Sequence, residues 1–107
     1  MNTHYRQGDV LLVKVEQTPG LPAEAVPEDM TEPHRIVLAY GEVTGHAHAL
    51  STQFATAYRH GDDRYVVAKE GATLVHEEHS AIVLEPGVYR VVRQREYSPR
   101  EVRLVAD

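Results

Sequence analysis

Short runs of alternating or continuous apolar residues, cut by turn signals every eight to twelve positions, dominate the pattern along the chain. DVLLVKVE at 9–16 carries Leu11, Val13 and Val15 on one face and Lys14 and Glu16 on the other, the period-two signature of a strand. It follows the Gly8-Asp9 turn signal. RIVLAY at 35–40, HAHAL at 46–50 and RYVVAK at 64–69 read as further strands, separated by turns at 41–45 and 61–63. Residues 52–59 have no clear period. Strands beginning at 72–75 and 81–84 lead to the Glu85-Pro86-Gly87 turn. The longest candidate runs over 88–97, with Tyr89, Val91, Arg93, Arg95 and Tyr97 on one face, and a last strand covers 101–105. The pattern predicts a mainly β fold, a small antiparallel β-barrel or sandwich of seven or eight short strands.

One segment breaks the rhythm. Residues 17–33 hold four of the six prolines, a composition that excludes a regular strand or long helix there. It reads as a proline-rich surface loop with one turn of helix around 23–25. The length of 107 residues fits a single β domain over 1–107. Small size and many strand edges predict a homo-oligomer.

Composition removes several chemistries. There is no Cys, so disulfides, thiolate metal sites and cysteine catalysis are out. No apolar run reaches the roughly 20 residues of a membrane helix, and the polar start lacks a signal-peptide core. The expectation is a cytoplasmic protein with no membrane partner. The net charge of −5 argues against non-specific nucleic-acid binding. Charge is uneven, however. Residues 16–32 are acidic, whereas Arg90, Arg93, Arg95, Arg100 and Arg103 make the end of the chain basic, a face suited to a small anionic ligand.

Histidines carry the sharpest chemical signal. His46-Ala47-His48 places two imidazoles on one strand face, close enough to share an ion. His76-Glu77-Glu78-His79 supplies a second pair. Read as a strand, it sends the two histidines to opposite faces; read as a turn or bulge, it sends them the same way. The HExxH spacing of helical metalloproteases is absent. The candidate ligands of a divalent metal (Zn, Fe, Mn or Ni) are therefore His46, His48, His76 and His79. Glu78 is a candidate ligand or base. Arg95 and Tyr97, on one strand face, are candidates for binding an anion and for acid–base work. His4, His34 and His60 read as solvated. No phosphate loop and no GxSxG serine motif occurs.

Two resemblances add context. Gly8-Asp9-Val10-Leu11, the 41–48 run GEVTGHAH, His76–His79, PGVYRV at 86–91 and QREYSP at 94–99 together resemble a family of small, uncharacterised bacterial and phage proteins. That resemblance implies no activity. Gly41, His46 and His48 are also similar to the opening of the first cupin motif. No acid follows in 49–57, and no His follows Glu85-Pro86-Gly87, so the cupin four-ligand set does not carry over. What this looser similarity implies is architecture, a small β-barrel with inward histidines.

Three functions fit these residues. The first is a metal-binding β protein, acting as a metal-assisted hydrolase or isomerase on a small polar or anionic substrate. The second is a metal-free acid–base enzyme using the same histidines. The third is a non-catalytic assembly module.

Overall fold

A computed structural model describes residues 4–16, 20–28, 32, 34–40 and 46–93. Among the described residues the chain forms ten strands and no helix. They are β1 His4–Gln7, β2 Val10–Lys14, β3 Val26–Pro27, β4 Arg35–Tyr40, β5 Ala47–Ser51, β6 Ala55–His60, β7 Asp63–Ala68, β8 Thr73–His76, β9 His79–Val83 and β10 Gly87–Arg93. Every pairing is antiparallel. The strands make a six-stranded sheet, β1-β2-β10-β7-β6-β3, and a four-stranded sheet, β4-β5-β8-β9. This is a sandwich rather than the closed barrel that the cupin similarity implied.

The core lies between the sheets. Val10, Leu12, Val66 and Tyr89 face it from the larger sheet, and Ile36, Leu38, Leu50 and Leu74 from the smaller. Burial of these apolar side chains is the main stabilising term. Tyr89 is its largest fully buried side chain. The phenol donates a 2.6 Å hydrogen bond to Glu85 O, and the ring packs tilted on Tyr5 at 5.9 Å between centroids. A Tyr in the core needs such a partner for its hydroxyl.

Several expectations are corrected. In β2 the fully buried residues are Val10 and Leu12, whereas Leu11 and Val13 are half-buried. The VLLV run is apolar on both faces, so its period could not fix which one turns inward. Residues 55–60, without a clear period in sequence, form a strand paired along its whole length with β7. The helical turn expected at 23–25 is a hydrogen-bonded turn, Ala25 N–H to Pro22 O at 3.0 Å.

Part of the proline-rich loop also adds a two-residue strand to β6, which Pro27 tolerates at a sheet edge. Glu28 holds that segment down by accepting two hydrogen bonds from Arg64, at 2.7 and 2.8 Å. The turn at 41–45, the extension of β10 past Arg93 and the strand at 101–105 lie outside the described residues.

Candidate metal centre

Three strands of the small sheet bring three histidines together. Ala49 on β5 pairs with Val75 on β8, so this antiparallel register sets His48 opposite His76. His76 in turn pairs directly with His79 across the β8–β9 hairpin. Directly opposed residues project to the same face of a sheet. His48 and Leu50 share a face by the strand period, as do His76 and Leu74, and both leucines are core residues. The histidines therefore continue the core face to its polar end.

His79 joins them because of a bulge. Leu74 pairs with Ile82 and His76 with His79, so β9 spends three residues where β8 spends two. The extra residue flips the side-chain parity, and both Ile82 and His79 point inward. The turn reading of HEEH is thus the one realised. Its two loop residues, Glu77 and Glu78, have no positive φ, although two-residue hairpins favour turns that need it. Side chains secure the turn instead. Glu78 N–H donates to His76 Nδ1 at 3.0 Å, and Ala47 N–H donates to Glu77 Oε1 at 2.9 Å. The Ala47 amide holds the Glu77 carboxyl below its ordinary pKa.

Ring centroids are 4.3 Å apart for His48–His76, 4.8 Å for His76–His79 and 5.5 Å for His48–His79. One nitrogen from each of the three lies within 4.8 Å of the others. Metal–nitrogen bonds of about 2.0–2.1 Å require donor atoms about 3–4 Å apart, so the three rings would have to shift closer to share one ion.

His46 is a neighbour and not a member of this group. Its ring sits 5.8 Å from that of His76, and its Nδ1 lies 3.7 Å from Glu78 Oε2. That Nδ1 is buried and makes no hydrogen bond to a described residue. The pair expected from the HxH spacing thus divides: His48 enters the cluster and His46 flanks it beside Glu78. Arg95 and Tyr97 lie outside the described residues. His4 and His34 are exposed, and the half-buried His60 faces Glu24 at 3.9 Å. A pocket of about 500 Å³ lined by Val26, Glu28 and Arg59 lies at the β3–β6 edge and holds no histidine of the cluster.

Two further residues shape the site: Gln7, which nothing in the sequence marks, and Gly8, which the sequence marks only as part of a turn. Gln7 Oε1 lies 2.9 Å from His48 Nδ1, while its Nε2 donates to Leu74 O at 3.2 Å and Ser80 O at 2.9 Å. Gly8, at φ 59°, opens the two-residue turn between β1 and β2. A Cβ there would stand 3.1 Å from both His48 Cε1 and His79 Nε2. The missing side chain leaves the cradle in which the two rings meet. Gly8→Ala should therefore crowd both rings and strain the backbone by about 1–2 kcal/mol. Isothermal titration with Zn²⁺ should show weaker binding than the parent, and an unchanged affinity would remove Gly8 from the site.

Electrostatics favour neutral His48. Burial, with His48 only 3% exposed, is the first cause of a pKa below its ordinary 6.5. The charges of His76, His79 and Arg93 push the same way, and Asp9, with Oδ1 3.6 Å from His48 Nε2, opposes them. A neutral imidazole is the form that binds a metal. The folded state then holds fewer protons than the unfolded chain between the depressed value and 6.5. His48 contributes stability that is complete above that range and lost as pH falls through its folded value. Metal-free protein should melt at progressively lower temperature below about pH 6.5, and His48→Asn should flatten that dependence. Parallel curves for the two proteins would show that other groups set it.

His76 must rearrange to serve as a ligand. Its Nδ1 lone pair accepts the Glu78 amide proton. An ion on either nitrogen displaces the Glu78 amide, because binding at Nε2 moves the ring proton onto Nδ1. Asp9 adds negative charge beside the nitrogens. With three histidine ligands, a four-coordinate ion keeps one position for water or substrate.

Residues 6–94 match the model of a family described as a domain of unknown function, DUF8820. No curated protein and no solved structure matches the chain.

Proposed function

We propose a metal-dependent role for this chain, which belongs to the DUF8820 family of domains of unknown function. One divalent transition-metal ion binds His48, His76 and His79, and its remaining coordination is open to water or a small polar or anionic ligand. The observation that carries this reading is the convergence of three imidazole nitrogens within 4.8 Å from three neighbouring strands. Imidazole donors suit Zn²⁺, Fe²⁺, Mn²⁺ or Ni²⁺, and the lack of thiolates turns the site away from Cu⁺.

An open position on such an ion supports Lewis-acid chemistry or water activation, so metal-assisted hydrolysis or isomerisation is the reaction class that fits. Beside the cluster, the His46–Glu78 pair provides groups that take up or return a proton. The test is metal analysis of protein purified without a histidine tag and reconstituted with each ion. One tightly held ion per chain supports the reading. Retention of no ion after gel filtration, with zinc, iron, manganese and nickel all supplied, would leave the histidines to metal-free acid–base work.

A further inference from the structure

We infer that Gln7 is the positioning residue of the histidine site. It fixes which nitrogen of His48 is available and ties together the three strands that carry the cluster. Gln7 and His48 are the buried polar side chains among the described residues, each 3% exposed. An amide in such a place must satisfy its donors and its acceptor or lose about 1–3 kcal/mol. Gln7 satisfies both.

The chemistry of its partners fixes its orientation. Leu74 O and Ser80 O are backbone carbonyls and can only accept, so the amide nitrogen must face them. Oε1 is thereby turned to His48 Nδ1. An amide oxygen can only accept, so the hydrogen of neutral His48 sits on Nδ1. The lone pair is left on Nε2, the nitrogen 3.6 Å from Asp9. The tautomer is decided by two carbonyls on other strands, relayed through one side chain.

Those carbonyls belong to the strands that carry the other two histidines. Leu74 lies on β8 two residues before His76. Ser80 lies on β9 next to His79, and neither it nor Ala81 has a partner in the β8–β9 ladder. Gln7 therefore reaches all three histidine-bearing strands from β1, at the edge of the other sheet. Residues that orient ligating histidines in this way commonly change metal affinity by about ten- to a hundred-fold when replaced.

The test uses full-length protein labelled with ¹⁵N at histidine, with long-range ¹H–¹⁵N correlation spectra reading the His48 tautomer without metal. The expected parent is protonated at Nδ1. Gln7→Met removes every polar contact and should shift His48 toward the Nε2-protonated form. Gln7→Glu keeps an acceptor opposite Nδ1 and should hold the proton there, although it gives up amide donors and melts earlier. Zinc titration adds an arm that rests on the proposed metal site: Gln7→Met should bind about ten- to a hundred-fold more weakly, with partial rescue in Gln7→Glu.

A parent His48 protonated at Nε2 overturns the inference. So does a Gln7→Met protein that melts earlier yet keeps the Nδ1 proton, because Gln7 would then be only a structural staple. If Gln7→Met fails to fold, loss of the Nδ1 proton in Gln7→Glu is the overturning result and its retention the supporting one. If the parent binds no zinc while Gln7→Met still shifts the tautomer, the metal reading fails and the positioning role stands.

Discussion

Single replacement of His48, His76 or His79 by Ala should reduce zinc from one ion per chain to a small fraction of one. Removing one of three ligands leaves two nitrogens, which do not hold an ion through gel filtration. The same variants should lose the thermal stabilisation that zinc gives the parent. An ion that binds only the native state at a hundred times its Kd stabilises it by about 2.7 kcal/mol. For a domain of this size that is a rise in Tm on the order of 10 °C. His46→Ala should retain the ion, since His46 flanks the cluster beside Glu78. Lys69→Ala, at an exposed position after β7, should behave as the parent. Inductively coupled plasma mass spectrometry with thermal melts reads both effects. Equal loss in His46→Ala would extend the site to a fourth ligand.

The second large effect lies in the core. Tyr89→Ala should destabilise the fold by about 3–5 kcal/mol, the range for removing a buried aromatic ring. Tyr89 is fully buried, its ring leans on Tyr5, and its hydroxyl satisfies Glu85 O. Tyr89→Phe keeps the ring and removes one hydrogen bond, for which a loss of about 1 kcal/mol is expected. Urea denaturation of the three proteins separates the terms. Similar losses for Ala and Phe would place the stabilisation in the hydroxyl rather than in ring packing.

The strands were the legible part of the fold. RIVLAY at 35–40 and the strands near 10–14, 47–51 and 63–68 were visible because each combines β-branched or aliphatic residues with a flanking turn signal. β1 was missed because HYRQ is too short and polar to show a period. β3 was missed because two residues, one of them Pro27, carry no pattern at all. Both are edge strands: β1 closes a tight hairpin with β2, whereas β3 pairs with β6, distant in the chain.

The site was legible as a list of residue types and not as a geometry. HEEH contains no Gly, Asn or Pro, so nothing local announced a hairpin there. The turn is held by His76 and Glu77 side chains instead. The bulge that aims His79 inward is a one-residue mismatch between two strands, and no single segment encodes it. Gln7 drew no notice because a lone Gln in a polar stretch looks solvated. Its role follows only from β1 packing beside β8 and β9.

His48, His76 and His79 are proposed to close on one ion. Crystals grown with zinc and measured on both sides of its absorption edge test it most directly. One anomalous peak per chain is expected, about 2.0–2.1 Å from a nitrogen of each of the three rings, with Gln7 Oε1 still against His48 Nδ1. A peak bound by His46 and Glu78 without the triad, or no peak among these histidines in protein saturated with zinc, would contradict it.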